Sequence, residues 1–220
     1  MIPNLVLASN SPRRKELLSL GGQRYRVIPA DVDEMPRPGE NPKDYVTRLA
    51  REKAQVAAGL IGGKQTLILA ADTTVVFKGH ILGKPADASE ARQMLKQLRG
   101  KVHLVYTAIA LLRIPDQALR LDFAETQVPM RNYTDAEIED YIAGGDPLDK
   151  AGAYAIQHAG FHPVASMQGC FANVIGLPLC HLQRTLHKWG QSMDKDLSTV
   201  CQDHLAYPCP VTSQILNWQL

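Results

Sequence analysis

Short apolar runs and amphipathic segments alternate along the first half of the chain. Apolar runs bounded by turn-forming residues predict buried strands at residues 5–8, 25–29 and 66–71. A Ser-Pro pair and an Asn-Pro pair are typical helix starts, because the first residue caps backbone N–H groups and proline fits the first turn. They predict helices over residues 13–20 and from residue 41 to about residue 58.

The second half of the chain adds paired strands. Residues 75–82 predict a hairpin, and residues 103–113 and 121–130 predict a long strand pair. Two capping patterns and one apolar stripe predict helices over residues 87–100, 134–144 and 178–189. Strands that alternate with helices early and pair in hairpins later are typical of an α/β domain, so we expect a mixed β-sheet with flanking helices.

The apolar periodicity fades after residue 190. We therefore treat residues 1–190 as the folded domain and residues 191–220 as an irregular C-terminal tail. The tail carries Cys201, His204 and Cys209, which make a weak zinc site because no fourth ligand is evident. Two further cysteines, at positions 170 and 180, are interpreted as buried or incidental thiols.

Composition narrows the class of protein. The chain has 220 residues, 45% of them hydrophobic and 21% charged, with a net charge of +2, which is an ordinary globular mixture. The charge gives no case for binding to nucleic acid or to a membrane surface, and no apolar run approaches the roughly 18 residues of a spanning helix. The start of the chain lacks a signal-peptide pattern, and four cysteines are no disulfide framework. We expect a soluble cytoplasmic domain.

A cluster of cations at the first predicted helix conflicts with local stability rules. Arg13, Arg14 and Lys15 follow the helix start, where the positive end of the helix dipole disfavours positive charge. A bound anion would reverse this effect, because free backbone N–H groups and the arginines would converge on it. The alternative is that these side chains extend into solvent.

Two more charged residues occupy unusual places. Lys53 lies on the helix stripe that should face the core, so it either extends outward to solvent or meets a negative partner. Asp72 directly follows the apolar run 66–71, and ligand-binding groups in α/β folds gather at the carboxyl ends of strands. Alternatively, Asp72 caps a turn through its own backbone.

Common nucleotide-binding and hydrolase motifs are absent from the sequence, including Walker A, GxGxxG, HExxH and GxSxG patterns. What remains is a set of cations, among them Lys84 in a Gly-Lys-Pro turn, and a few carboxylates, among them the adjacent Asp33 and Glu34. Together with a helix N-terminus, these are the groups that metal-assisted phosphoryl chemistry uses.

The start of the chain, ASNSPRRKELL at residues 8–18, resembles the opening signature of the Maf family (septum-formation inhibitor proteins, nucleoside triphosphate pyrophosphatases). The resemblance continues in order over about residues 3–188. Its further segments are Asp33-Glu34, Ala50-Arg51-Glu52-Lys53-Ala54, Ala71-Asp72-Thr73, Leu82-Gly83-Lys84-Pro85, Gly100-Lys101-Val102-His103, Tyr106-Thr107, Asp146-Pro147, Asp149 to Tyr154, Ile156-Gln157, Val174, and Gly176-Leu177-Pro178.

The resemblance implies an elongated α/β fold related to inosine-triphosphate pyrophosphatases, with two lobes around a nucleotide cleft. It implies hydrolysis of a nucleoside triphosphate to the monophosphate and pyrophosphate, with Mg²⁺ or Mn²⁺ as cofactor. Asp72 would be the proton acceptor and, with Glu34, would hold the metal. The residues that would bind phosphate or substrate are Ser9, Ser11, Arg13, Arg14, Lys53, Lys84 and Lys150.

The subgroup is implied by three matched positions. Arg13, Thr73 and Gln157 match the residues that mark family members acting on dTTP and UTP. Modified pyrimidine nucleotides are further candidate substrates. A 7-methyl-GTP pyrophosphatase of the same family and a non-catalytic nucleotide-binding regulator of cell division remain as alternatives. The family also suggests a homodimer. Two departures are His158, which stands where the family usually has glycine, and the long tail, which we expect to be dispensable for activity.

Overall fold

A six-stranded mixed β-sheet forms the centre of the protein. The computed structural model describes residues 2, 4–61 and 65–217. The strands are β1 (Leu5–Leu7), β2 (Tyr25–Val27), β3 (Thr66–Phe77), β4 (His80–Leu82), β5 (Val102–Ile114) and β6 (Ala118–Pro129). Their order is β2-β1-β3-β5-β6, with β4 paired to β3. Strands β2, β1 and β3 are parallel, whereas β3, β5 and β6 are antiparallel, which confirms the predicted mixed α/β sheet.

Eight helices flank this sheet within the described part of the chain. They are α1 (Pro12–Ser19), α2 (Pro42–Gly59), α3 (Ala88–Leu98), α4 (Asp135–Ala143), α5 (Phe171–Ile175), α6 (Leu179–His187), α7 (Leu197–Leu205) and α8 (Thr212–Leu216). Two 3₁₀ turns, Asp146–Asp149 and Ala151–Ala153, precede α5. The predicted helices are confirmed, but α5, α7 and α8 were not expected.

The helix caps follow the sequence patterns that predicted them. Ser11 accepts a hydrogen bond from the backbone N–H of Arg14, and Asn41 accepts one from that of Asp44. Thr134 and Glu137 form a reciprocal capping box at α4. Each cap supplies an acceptor for N–H groups that have no partner inside the first helical turn, so these local signals fix where the helices begin.

Strand β3 corrects the prediction that a strand ends at Asp72. The strand continues from Thr66 to Phe77, because β5 pairs with it without interruption and aligns Asp72 with Ala108. On the opposite edge of β3, β1 pairs only with residues 67–69 and β4 only with residues 75–77. Asp72 therefore lies in the middle of a strand, where one of its two edges has no neighbouring strand.

Three apolar clusters build the two halves of the molecule. One half of the sheet packs on one face against α2 and on the other against α1, α6 and α7. The other half, around Val75, Phe77 and Val105, packs against α3 and α4. The open edge of β3 near Asp72 lies between these halves.

The C-terminal segment corrects the prediction of an irregular tail. Residues 191–217 contain α7 and α8, and residues 218–220 lie outside the described residues. Met193, Leu197 and Cys201 join the same apolar cluster as Leu17 and Leu18 of α1. The segment is ordered because it covers apolar surface of the domain, a long-range effect that the weak local periodicity did not indicate. No helix in the described ranges combines the length and the apolar character that crossing a membrane requires.

Candidate active site

A cleft of about 770 Å³ lies between the two halves of the molecule at the open edge of β3. All the site residues that the sequence analysis singled out line this cleft. They are Ser9, Ser11, Arg13, Arg14, Glu34, Lys53, Asp72, Thr73, Lys84, Lys150 and Gln157. Of the three cations at the start of α1, only Lys15 lies outside the lining. The fold thus brings residues from widely separated segments to one place.

Lys53 joins the two predicted metal ligands. Its Nζ atom donates hydrogen bonds of 2.6 Å to Asp72 Oδ1 and of 2.6 Å to Glu34 Oε1. The sequence left open whether Lys53 extends to solvent or meets a negative partner, and the structure gives it two. Asp72 is only 6% exposed, so this ion pair lies in a poorly hydrated environment.

The pKa values of the two carboxyl groups are shifted in opposite directions. Burial raises the pKa of Asp72, and the charges of Lys53 and Arg14 only partly offset that effect. Burial also acts to raise the pKa of Glu34, but hydrogen bonding to Lys53 and the charges of Lys53, Lys84 and Arg14 prevail and lower it. The environment therefore makes Asp72 a stronger base, and Glu34 a weaker base, than the same side chain in water.

Helix α2 holds the loop that carries Glu34. The hydroxyl of Tyr45 donates to the carbonyl oxygen of Glu34 at 2.9 Å, and one helical turn later Arg48 donates to the carbonyl oxygen of Met35 at 3.1 Å. Arg48 also forms an ion pair of 2.6 Å with Glu40 at the end of the loop. Burial raises the pKa of Tyr45 to about 12, so its hydroxyl remains a donor at neutral pH. The sequence analysis missed these positioning residues, although Tyr45 and Arg48 share a helix face.

Arg14 is fixed by three acceptors. Its Nε atom donates to the carbonyl oxygen of Gly176 at 2.9 Å, and its two terminal nitrogens donate to Thr73 Oγ1 at 3.1 Å and to Ser9 Oγ at 3.4 Å. Burial lowers the pKa of Arg14, whereas the charges of Asp72 and Glu34 oppose that effect. Arg14 therefore turns into the cleft instead of extending into solvent.

A short hydroxyl relay supports this arginine. Thr107 Oγ1 donates to the carbonyl oxygen of Asn173 at 3.0 Å, so its single proton is committed there. The hydrogen bond of 2.9 Å between Thr73 and Thr107 is therefore donated by Thr73, which leaves the Thr73 oxygen free to accept from Arg14. Thr73 acts on the site through Arg14.

The position of Gly176 requires a residue without a side chain. Its φ angle is +118°, and an added Cβ atom would lie 3.3 Å from Thr73 Oγ1 and 3.5 Å from Arg14 Nε. Any larger residue would meet both strain and the arginine. The glycine thus permits the close approach of α5 to the cleft.

The remaining cations differ in how they are engaged. Arg13 and Lys84 line the cleft and make no hydrogen bond or ion pair with any residue in the described ranges. Lys150 is buried, and its Nζ atom donates to Asp149 Oδ1 at 2.5 Å, and to Asp146 at 2.5 Å (carbonyl oxygen) and 3.0 Å (Oδ1). Its own segment thus satisfies Lys150, and its predicted contact with phosphate stays a prediction.

Gln157 and His158 lie in a turn that is closed by a hydrogen bond of 3.2 Å from the N–H of His158 to the carbonyl oxygen of Ala155. Gln157 is exposed and lines the cleft, whereas the neighbouring His158 turns away from it. His158 Nδ1 accepts a hydrogen bond of 2.9 Å from the backbone of Phe161, and its ring packs edge-on against Tyr141. The histidine that departs from the family pattern therefore stabilises the turn after Gln157.

The chemistry of Asp72 and Glu34 fits a hard divalent cation. Their oxygens converge on one positive group, the Lys53 ammonium, and Mg²⁺ prefers such oxygens while retaining waters or phosphate oxygens as further ligands. The described residues contain no group of three or more His, Cys, Asp or Glu side chains that could hold a metal. In the C-terminal segment, His204 instead pairs with Glu16 at 2.9 Å, which argues against the weak zinc site.

Comparison with known proteins shows which family has a similar sequence. Residues 4–189 match the family described as Maf-like protein. The chain is 46% identical over 187 residues to a protein of Geobacter sp. (strain M21), covering 85% of this chain and 96% of that protein. It is 48% identical over 192 residues to one of Anaeromyxobacter dehalogenans (strain 2CP-1), covering 86% and 96%. Both proteins carry the name dTTP/UTP pyrophosphatase.

Two further comparisons concern the C-terminal segment and the fold. A dTTP/UTP pyrophosphatase of Thermomicrobium roseum is 44% identical over 218 residues, covering 97% of this chain and 98% of that protein, so the match includes the C-terminal segment. Among solved structures, the Staphylococcus aureus Ham1 protein aligns with a TM-score of 0.44 and 14% identity over 92% of this chain and 98% of that chain. By the match over residues 4–189 and the identity to its curated relatives, the chain belongs to the Maf-like protein family.

Proposed function

We propose that this protein hydrolyses a nucleoside triphosphate to the monophosphate and pyrophosphate, with dTTP and UTP as preferred substrates. The observation that carries the proposal is the convergence of the buried Asp72 carboxylate and the cations of α1 on one cleft. The names of the relatives support the substrate class, since those proteins are called dTTP/UTP pyrophosphatases.

Asp72 is the general base of the proposed reaction. A carboxylate within a dry, cation-rich site can orient a water molecule and take its proton as the water attacks the α-phosphorus. Burial raises the pKa of Asp72 and so makes it a better proton acceptor than an exposed aspartate, while Lys53 and Arg14 favour its ionised form. The pairing of Asp72 with Ala108 on β5 keeps the carboxylate in place.

Asp72 and Glu34 would hold the divalent cation. When bound, Mg²⁺ or Mn²⁺ neutralises phosphate charge and makes water more acidic. Lys53 balances the charge of both carboxylates through its two hydrogen bonds of 2.6 Å. Tyr45 and Arg48 hold the backbone of the Glu34 loop against α2.

The cations of the cleft bind the triphosphate. The side chains of Arg13 and Lys84 have no hydrogen-bond or ion-pair partner among the described residues, and Arg14 is held by its three acceptors, so the site combines adaptable and fixed positive groups. The N-terminus of α1 adds backbone N–H groups, beside the hydroxyls of Ser9 and Ser11. Each charge-assisted hydrogen bond contributes about 1.5–3 kcal/mol, which favours departure of pyrophosphate as the leaving group.

Gln157 recognises the base of the nucleotide. Its exposed amide presents a donor and an acceptor side by side, as the edge of a pyrimidine requires. His158 fixes the turn beside it by accepting from Phe161. Thr73 acts indirectly, because it positions Arg14 through the hydroxyl relay.

A panel of triphosphates tests the proposal. Pyrophosphate release is measured with dTTP, UTP, dATP and 7-methyl-GTP, with divalent cation omitted and then restored. We expect dTTP and UTP to be hydrolysed fastest, and only with the cation. A preference for 7-methyl-GTP would place the protein in the other subgroup, and tight binding without pyrophosphate release would indicate a nucleotide-binding regulator.

The variant Asp72→Asn identifies the base in the same assay. We expect it to bind nucleotide and to lose about 10²-fold or more of its turnover, the usual contribution of a general base. Asp31→Asn is the matched control, because Asp31 is a carboxylate that lines the same cleft. Turnover of Asp72→Asn near that of the unchanged protein would show that another group takes the proton.

The family resemblance also suggests a homodimer, and the cysteine content of the sequence favours the cytoplasm. Light scattering of the purified protein tests the first suggestion and fractionation of cells the second.

A further inference from the structure

All four cysteines of the chain surround one small cavity, and none of them lines the cleft. Cys170 begins α5 and Cys180 lies in α6, whereas Cys201 lies in α7 and Cys209 follows it. The cavity therefore lies where the C-terminal segment meets the domain. All four thiols are free, and the proposed hydrolysis uses none of them.

Two of these thiols are coupled across that boundary. Cys170 and Cys209 line the same small cavity, and hydrogen bonding between them shifts the pKa of each thiol. Their backbones are anchored on either side: the carbonyl oxygen of Cys170 accepts from Thr126 at 3.3 Å, and the N–H of Cys209 donates to Gln202 at 2.9 Å. The two thiols thus face the same cavity from anchored segments that are 39 residues apart in sequence.

The pair combines an accessible thiol with a buried one. Cys209 is partly exposed, whereas Cys170 is only 5% exposed, so an oxidant in solution reaches Cys209 first. Cys180 and Cys201 are buried as well, and Cys180 is directed toward the hydroxyl of Thr212 at 4.0 Å. Access therefore distinguishes Cys209 from the other three thiols, and hydrogen bonding distinguishes Cys170 as its partner.

We propose that Cys209 and Cys170 form a redox-active dithiol that a hydroperoxide converts to a disulfide, tying the C-terminal segment to α5. In the first step the Cys209 thiolate attacks the peroxide: an S–O bond forms, the O–O bond breaks, and hydroxide leaves as water after taking a proton. In the second step Cys170 loses its proton and attacks the Cys209 sulfur: an S–S bond forms, the S–O bond breaks, and a second water leaves. Two thiols are oxidised by two electrons, and one hydrogen peroxide is reduced to two waters.

The electrostatics of the pair agree with these roles. Hydrogen bonds from Cys170, from the Thr212 hydroxyl and from the backbone of Val211 lower the pKa of Cys209, although burial opposes them. The hydrogen bond to Cys209 and burial raise the pKa of Cys170. Burial also raises the pKa of Cys180 to about 11 and of Cys201 to about 12. Since the thiolate is the nucleophile, Cys209 is the first thiol to react and Cys170 resolves the intermediate.

Peptide mapping of the full chain tests the proposal. The reduced protein is treated with equimolar hydrogen peroxide, alkylated, and digested with chymotrypsin, whose sites after Phe171, Trp189 and Leu205 place the four cysteines on different peptides. We expect one cross-linked pair of peptides, joining Cys170 to Cys209, with Cys180 and Cys201 alkylated. A cross-link between any other pair, or four alkylated thiols, would overturn the proposal.

Variants separate the two steps. In Cys170→Ser the oxidised Cys209 has no resolving partner, so we expect a dimedone adduct at Cys209. In Cys209→Ser we expect peroxide-driven thiol loss to slow at least tenfold, whereas Cys201→Ser, a change in the same cavity, should retain the Cys170–Cys209 cross-link. An equal rate in Cys209→Ser and the unchanged protein contradicts the proposal. If Cys170→Ser does not fold, the map of the unchanged protein and the Cys209→Ser rate decide the question alone.

The thermal midpoint gives an independent measurement. A disulfide that closes a loop of this length restricts the unfolded chain, so we expect the Tm of the peroxide-treated protein to rise by about 5 °C or more and to return after reduction. Cys209→Ser should show no such rise. A reversible rise of equal size in that variant would mean that other thiols form the bond.

Discussion

Lys53 of helix α2 and Asp72 of strand β3 form a buried ion pair with a hydrogen bond of 2.6 Å. Burying two opposite charges gains little net stability, because the loss of hydration offsets most of the attraction. Lys53 also bonds Glu34 at 2.6 Å, so one ammonium neutralises two carboxylates. The arrangement is best explained by the site, where positive charge must stand between the two proposed metal ligands.

Removal of this ammonium should make the protein depend on a divalent cation for stability. Lys53→Met leaves Asp72 and Glu34 without their partner, and we expect the free energy of unfolding to fall by about 3–5 kcal/mol in the absence of metal. Added Mg²⁺ should raise the Tm of the variant more than that of the unchanged protein, which calorimetry measures.

The control for this prediction is Arg51→Met, which removes an exposed cation from the same helix. It should change the Tm little, with or without Mg²⁺. An equal response of Lys53→Met and the unchanged protein to Mg²⁺ would show that the two carboxylates do not share a cation site.

The hydroxyl relay can be tested by removing one oxygen. Thr73→Val keeps the shape of the side chain but removes the acceptor of Arg14 and the donor to Thr107. Leaving a buried polar group without its partner costs about 1–3 kcal/mol, so we expect KM for the triphosphate to rise about tenfold or more. Steady-state kinetics with kcat and KM determined separately measure the effect.

The adjacent threonine is the matched control. Thr74 is buried on the same strand, and its hydroxyl makes no hydrogen bond within the described residues. Thr74→Val should therefore leave KM near its original value. If both variants raise KM equally, the effect comes from the strand and not from the support of Arg14.

Two buried histidines should make the fold sensitive to acid. Burial lowers the pKa of His103 to about 4 and that of His181 to about 4. Because the unfolded chain binds these protons near pH 6.5 and the folded chain does not, stability is full above that pH and falls as the pH drops toward 4. Each histidine should contribute about 2 kcal/mol to the loss between pH 7 and pH 5.

Denaturant unfolding at pH 7 and pH 5 measures this loss. His103→Gln should lose about 2 kcal/mol less than the unchanged protein between the two pH values. The exposed His80→Gln should lose as much as the unchanged protein. An identical loss in His103→Gln would mean that His103 is not the source of the acid sensitivity.

The C-terminal segment should matter for stability. Leu197 is 1% exposed and packs in the cluster that contains Leu17 and Leu18 of α1, so Leu197→Ala should cost about 2–5 kcal/mol. Leu60→Ala, at a residue that is 65% exposed, should cost about 0.5 kcal/mol or less. Denaturant unfolding compares them, and equal costs would show that the segment adds no stability. Deletion from Gln191 onward is accordingly expected to weaken the fold, in contrast to the dispensable tail that the sequence suggested.

Local patterns predicted those parts of the molecule that local forces determine. The capping residues Ser11 and Asn41 placed the starts of α1 and α2, and helical periodicity placed Lys53 on the buried face. The mixed sheet also followed from the order of apolar runs. The resemblance to a family added the grouping of the site residues, which the cleft brings together.

The features that the sequence analysis missed depend on distant contacts. The continuation of β3 past Asp72 is determined by pairing with β5, and five-residue α5 forms where it packs against the sheet. The N-terminus of α7 carried a readable signal, because Asp196 caps the backbone of Thr199 ahead of a Leu197–Cys201 apolar spacing. Its burial against α1 was not visible from that pattern.

The interrupted edge of β3 determines which parts of the enzyme are free to adapt. Because β5 pairs with the strand along its other side, the carboxylate that we propose as the proton acceptor is held in a fixed position. We therefore expect bases of different size to be accommodated by the peripheral walls of the cleft, which are the Glu34 loop and the turn that carries Gln157. In proteins with this fold, changes in substrate preference should accordingly arise from substitutions in those walls. The strand itself should tolerate few substitutions.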